Sequence, residues 1–211
     1  MTKQERAVRT RSQLIVAAAH AFDRHGFTRT NLTSVSGQVG VSSGALYFHF
    51  DNKEALATEV VSQASGALRD AARRVYRAST SPLQCLIDTS HTLAELLRSD
   101  PVVKAGFRLN CAGHGGGRTD LRQEWQLCVQ RLLAEAARED ALSPGTSRQS
   151  IVAAVVAATV GFEVLGRDDF QWLSRHSLGR FWSLQLPCIA APETLTRLTP
   201  FGCGDGCGGH E

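Results

Sequence analysis

The chain of 211 residues is 43% hydrophobic and 20% charged, a balance that suits one or two ordered domains and excludes an intrinsically disordered chain. Its longest apolar run, residues 151–165, is shorter than the roughly 20 residues that cross a bilayer, and Glu163 breaks it, so no membrane partner is expected. The net charge of +3 is unevenly placed: residues 1–53 hold seven basic side chains (Lys3, Arg6, Arg9, Arg11, Arg24, Arg29, Lys53) against three acids (Glu5, Asp23, Asp51). A polyanion is the expected partner at that end. The opening MTKQERAVRTRSQL lacks the apolar core of a signal peptide, which points to the cytoplasm, where the six cysteines stay thiols.

Helical periodicity runs through almost the whole chain. Residues 4–26 place Leu14, Ala17, Ala18, Ala21 and Phe22 on one face, with Gly26 as the stop. Thr30 and Asn31 supply polar caps for a short second helix, 32–39. Ser42 or Ser43 caps a third, 43–50, and Asp51-Asn52 opens a long fourth, 53–78, in which Leu56, Val60, Ala64 and Leu68 recur every four residues. A composition shift at 79–82 precedes further helices at 83–98, 102–111, 119–139, 147–165 and 178–190, several separated by the loops AGHGGGRT, LSPGTS and GRDDF. No strand series and no internal repeat intervenes. The expected fold is all-α: a three-helix head at 1–51, a larger helical body at 52–200, and a flexible Gly/Cys-rich tail at 201–211. Cys85, Cys111, Cys128 and Cys188 fall among apolar residues and are expected to be buried. Cys203, Cys207 and His210 are too few for a closed four-ligand zinc site, so neither metal nor cofactor is expected.

Residues 40–44, GVSSG, admit two readings. They fit the G-x-S-x-G elbow of an esterase, with His114-Gly115-Gly116-Gly117 as an oxyanion loop. An elbow serine follows a strand, however, whereas Leu32, Val35 and Val39 recur at helical intervals, and the glycine loop comes after the serine instead of before it. The same letters fit a helix-turn-helix, in which two short helices need a small residue at their contact, a glycine in the turn and apolar residues in the angle. Ser36, Gly40 and the set Val35, Val39, Val41 and Leu46 supply these, and Leu46 and Phe50 face inward. The third helix then presents Ser42, Ser43, Gly44, Ala45, Tyr47, Phe48 and His49 to DNA. Gly44 and Ala45 permit close approach, Tyr47, His49 and Lys53 reach phosphate oxygens, and Phe48 meets a thymine methyl. Thr30 and Thr33, at the start of the second helix, complete the expected contacts. No catalytic residue is assigned.

Residues 13–56, with the pair Gly26-Phe27 and the stretch GALYFHFDNKEAL, resemble the DNA-binding domain of the tetracycline-repressor (TetR) family. Two positions depart from its pattern: Ser36 stands where alanine is usual and Asn31 where threonine is usual. The resemblance implies a helical C-terminal domain that dimerises and binds a small molecule. Residues 100–113 and 124–136 further resemble the γ-butyrolactone autoregulator receptor branch, in which the tryptophan matching Trp125 lines the ligand pocket. On that basis Phe107, Leu109, Val155 and Phe162 are further wall residues. The segments MTKQERAVRTRSQLI, LRQEWQLCVQRLLAEAA and GFEVLGRDD, and the pI of about 8.6, are closest to the pseudo-receptors of this branch, which respond to antibiotics or their intermediates. A true γ-butyrolactone receptor is the alternative.

Dimerisation is also the economical reading of the last two long helices. Residues 150–166 are apolar nearly all round, with Val152, Val156 and Val160 four apart, and Leu178, Phe181, Trp182, Gln185 and Ile189 share a stripe. Paired with symmetry mates they would form a four-helix interface, as a palindromic double-stranded operator requires.

Overall fold

The computed structural model describes residues 2–115 and 120–203. They form ten α-helices: α1 (Lys3–Arg29), α2 (Leu32–Val39), α3 (Ser43–His49), α4 (Lys53–Ala78), α5 (Pro82–Ser99), α6 (Pro101–Cys111), α7 (Leu121–Arg138), α8 (Arg148–Leu165), α9 (Arg175–Ile189) and α10 (Pro192–Leu195). A 3-10 turn, Phe170–Leu173, lies between α8 and α9, and the only extended pairing among the described residues is an isolated bridge, Leu142 with Ala190. The fold is all-α. Gly26, expected to end the first helix, instead kinks it: its φ of 74° and ψ of 168° interrupt α1, and one more turn follows. Gln13 precedes the first buried position of α1, Leu14, from which Ile15, Ala18, Ala19, Ala21 and Phe22 continue the inward stripe.

Two compact units result, and their boundary differs from the expected one at residue 51. The first comprises Met1–Leu68 and Ser99–Leu121, so it takes in α6 and the first half of α4 along with α1–α3. The reason is burial. Leu56, Ala57, Val60 and Val61 of α4 and Ala105 and Leu109 of α6 join Leu14, Ala18, Phe22, Val35, Leu46 and Phe50 in one core. Gly106 lets α6 lie close against α4, since a Cβ there would stand 2.4 Å from that of Ala64. Asp23 of α1 pairs with Lys104 of α6 at 3.0 Å and with Arg108. Arg11 of α1 reaches Glu59 of α4 at 2.8 Å, and this hydrogen-bonded pairing holds the Glu59 carboxyl below the usual carboxylate range.

The second unit comprises Arg69–Arg98 and Arg122–Glu211. Its core gathers Leu86 and Ile87 of α5, Trp125, Leu132 and Leu133 of α7, Ile151 and Val155 of α8, and Trp182 and Leu186 of α9. Cys85 is buried and Cys128 half-buried, and desolvation pushes both thiols up, whereas Cys188 is exposed, contrary to expectation. Cys203 is also exposed, while Cys207 and His210 lie outside the described residues. The start of the supposed tail is anchored. Gln84 accepts the Thr199 N–H at 2.8 Å, Asp88 accepts that of Cys203 at 2.8 Å, and Arg175 donates to the Phe201 and Gly202 carbonyls.

His91 of α5 closes this strap. Its Nε2 stands 3.0 Å from the Pro200 carbonyl, which can only accept, so the ring carries its proton there. Burial lowers the His91 pKa and the Arg175 charge lowers it further, outweighing the Pro200 bond and Asp88, which raise it. A depressed histidine stabilises the fold fully above the unfolded value near 6.5, and that contribution is lost as pH falls through the lower folded value. His91→Gln keeps a donor for Pro200 but cannot titrate. Denaturation midpoints measured from pH 8 down to pH 5 should therefore fall less in the variant than in the wild-type chain; parallel curves would remove His91 as the acid-sensitive group.

Candidate nucleic-acid interface

The α2–turn–α3 segment is built by local signals. The Asn31 side chain accepts the Thr33 N–H at 2.9 Å and caps α2. Gly40, with φ 75° and ψ 28°, takes the left-handed conformation that ends α2. The Ser42 hydroxyl accepts the Ala45 N–H at 3.2 Å and caps α3. Ser36 is buried at the helix contact, its hydroxyl donating to the Thr33 carbonyl at 3.0 Å. The residues before Gly40 are helical, so the strand that an esterase elbow needs is absent there and Ser42 is a helix cap. Of the supposed oxyanion loop, Gly116 and Gly117 lie outside the described residues.

The short helix α3 divides sharply into two faces. Leu46 is fully buried and Phe50 nearly so, whereas Tyr47 is 54% and Phe48 81% exposed. Ser42 and Gly44 are exposed, and Ser43, Ala45 and His49 are half-buried. A Cβ on Gly44 would meet nothing nearer than the Ser42 hydroxyl at 3.8 Å. No described neighbour of Gly44 requires glycine there. Thr33 is exposed at the start of α2. Arg29, which the sequence reading passed over, is exposed just upstream of the α2 cap and forms no ion pair among the described residues.

Two expected contacts are turned inward. Thr30 is 5% exposed, and its hydroxyl donates to the Gly26 carbonyl at 2.8 Å, which closes the end of α1. Lys53 donates to the Thr28 and Thr30 carbonyls at 3.1 and 3.2 Å and sits 4.8 Å from the centroid of the Phe27 ring. A cation at the start of α4 opposes that helix's dipole, but here it neutralises the carbonyl end of α1. Phe27 also stacks on His114, centroids 4.1 Å apart.

The ligand-wall candidates do not form one group. Trp125 is nearly buried and shares the second unit's core with Val155. Its indole N–H donates to the Thr159 hydroxyl at 2.8 Å, which in turn donates to the Val155 carbonyl. Thr159 was invisible to sequence reasoning beyond the rule that a buried indole seeks an acceptor. Phe162 lies against a separate cluster of Ala94, Leu173 and Leu178 and beside the rings of Trp172 and Phe181. Phe107 and Leu109 sit on α6 in the first unit, Leu109 inside that unit's core.

The dimerisation candidates also split. Val152, Leu178, Trp182 and Ile189 are buried by their own chain, and the Trp182 indole donates to Ser90 at 2.8 Å. Only Val156, Val160, Phe181 and Gln185 are half-open. The exposed apolar side chains nearby are others: Leu184 at 73%, Val164 at 47% and Leu165 at 46%, with Ala153, Ala154, Ala157 and Cys188.

Residues 14–60 match the family described as bacterial regulatory proteins, tetR family. The chain is 29% identical over 207 residues to the A-factor receptor protein of Streptomyces griseus, covering 96% of this chain and 71% of that one. A crystal structure of an ArpA-like γ-butyrolactone receptor superposes with a TM-score of 0.81 at 29% identity, covering 93% of this chain and 96% of the other. The TetR family protein CprB from Streptomyces coelicolor, in complex with its biological operator sequence, superposes with a TM-score of 0.76 at 30% identity, covering 91% and 94%.

Lys53→Met, which keeps the stem and removes the ammonium, should lower the stability of the first unit by about 1–2 kcal/mol in chemical denaturation. Unchanged stability with weakened DNA binding would instead return Lys53 to phosphate contact.

Proposed function

Since the chain belongs to the TetR family of bacterial regulatory proteins, we propose that it is a homodimeric repressor that reads a palindromic operator through α3 and is released by a small hydrophobic molecule. The observation that carries this reading is the split of α3, which buries Leu46 and Phe50 and leaves two large rings, Tyr47 and Phe48, in solvent. Exposed aromatic side chains on a short capped helix are costly unless something covers them. The major groove of duplex DNA admits such a helix, with Phe48 against a thymine methyl, Tyr47 and His49 toward phosphates, and Gly44 and Ala45 at the closest approach. Ser42, Ser43 and Thr33 complete the surface, and Arg29 adds a cation where α2 begins.

Two recognition helices read a palindrome only as a pair, and α8 and α9 carry the surface for pairing. Ala153, Ala157, Val160 and Val164 fall on one face of α8, and Leu184 and Cys188 on one face of α9, beside Phe181, Gln185 and Pro187. α8 is long and apolar enough to cross a membrane by composition alone, and burial against a second subunit accounts for the same feature.

The effector belongs to the second unit, with Trp125, Val155 and Phe162 as its wall and Phe107 and Leu109 withdrawn from the central set. The likeness to receptors of γ-butyrolactones supports an effector of that chemical class, or an antibiotic or biosynthetic intermediate. The basic chain, with a pI of about 8.6, favours the antibiotic-responding pseudo-receptor over the butyrolactone receptor. A gel shift on the gene's own upstream DNA, repeated with butyrolactones and with antibiotics, separates the two by which compounds release the complex.

Tyr47→Ala and Phe48→Ala should each weaken operator binding about 5- to 100-fold in anisotropy titrations, while leaving the denaturation midpoint unchanged. Full affinity in both would move base reading away from α3. Leu184→Arg should give monomers in sedimentation and abolish operator binding. Trp182→Ala should instead destabilise the subunit by about 3–5 kcal/mol, because its ring is core.

A further inference from the structure

The turns of α1 before Leu14 have no share in the head's core. None of residues 2–13 is buried, and Val8, which continues the inward stripe, is 62% exposed. These turns are held as helix by a capping box: the Thr2 hydroxyl accepts the Glu5 N–H at 3.2 Å, and the Glu5 carboxylate accepts the Thr2 N–H at 2.8 Å.

Lys3, Arg6 and Arg9 are exposed along this stub and form no ion pair among the described residues. Arg11, half a turn further on, is already engaged by Glu59 and by the Phe50 ring, 5.1 Å from its centroid. Arg9 lies two residues before Arg11, about 3 Å along the axis but about 200° round the helix, so its side chain leaves α1 on the side away from Phe50. The spacing of three and four residues also sets Lys3, Arg6, Thr10, Gln13, Ala17, His20 and Arg24 on one row of α1, and no carboxylate stands in it. The acids of α1 lie elsewhere: Glu5 closes the cap, and Asp23, about 100° round the helix from the row, faces α6.

Neither feature serves the helix itself. Cations in the first turns oppose the helix dipole, and a stub beyond the core gains nothing from burial. An external polyanion accounts for both. We propose that Lys3, Arg6 and Arg9 form a second, sequence-independent contact that lays the N-terminal turns of α1 along the phosphate backbone of duplex DNA flanking the bases read by α3. This rests on the operator-binding reading and adds a distinct footprint to it.

The test uses the full chain, a minimal operator duplex and one extended by about ten base pairs, roughly one helical turn, on each side. Wild-type protein should bind the extended duplex about tenfold or more tightly than the minimal one. The triple variant Lys3→Gln, Arg6→Gln, Arg9→Gln keeps good helix formers and should lose that advantage. Its plot of log affinity against log salt should flatten by about 2–3 per subunit, with base preference unchanged. A second triple variant, Arg74→Gln, Arg77→Gln, Arg138→Gln, removes the same charge from exposed positions of the other unit and should keep both the flank advantage and the slope. An unchanged first variant, or an equally flattened second one, would overturn the contact. Wild-type protein with no preference for any upstream duplex would instead sink the operator reading itself.

Discussion

A helix of seven residues does not persist by itself in water, because ordering its first turn is barely offset by the hydrogen bonds gained. α3 exists because Leu46 and Phe50 are buried in the head's core and because Ser42 closes its first turn. Once those two side chains face inward, an advance of about 100° per residue leaves Tyr47 and Phe48 on the opposite side. The recognition surface is thus a geometric consequence of the core. The same core is locked from above, since Arg11 covers the Phe50 ring and is bound to Glu59, tying α1, α3 and α4 through one guanidinium. Changes at Leu46, Phe50 or Arg11 therefore reach the exposed face of α3 without touching it.

Features that act over a few residues were legible in the sequence. The caps at Asn31 and Ser42, the left-handed turn at Gly40, the small contact at Ser36 and the four-residue rhythm of Leu56, Val60 and Ala64 all stand where pattern and propensity put them. Thr30 and Lys53 have partners within the chain that the sequence did not show, because those partners are set by tertiary structure. The kink at Gly26 brings the last carbonyls of α1 beside the start of α4, and an ammonium there satisfies groups that would otherwise lack donors. A residue type that suits phosphate suits a helix C-terminus equally well, and sequence alone does not separate the two.

The second unit shows a different limit. Periodicity tells which face of a helix is apolar, but α8 is apolar on most sides, so it cannot tell which side the chain covers for itself. Trp182 illustrates the point. Its place in an apolar stripe suited a subunit interface, yet the indole N–H needed a buried acceptor, and Ser90 of α5 supplied one inside the subunit. The side chains left over, Leu184 above all, fall between the stripe positions. Trp125 follows the same rule through Thr159, which commits its polar edge inside the unit.

Release of DNA by a ligand in the second unit requires that the two units share a mechanical element. The chain crosses between them three times, at 68/69, 98/99 and 121/122. The first crossing lies within α4, and the other two bracket α6, a helix of the first unit whose sequence neighbours α5 and α7 belong to the second. α6 does not yield gradually, because Gly106 packs against Ala64 with no room for a methyl group, and its charged pair, Lys104 and Arg108, meets the single carboxylate of Asp23. Close packing of this kind favours two discrete arrangements over continuous deformation. In the first unit, α6 thus joins close packing at Gly106 to the two ion pairs on Asp23.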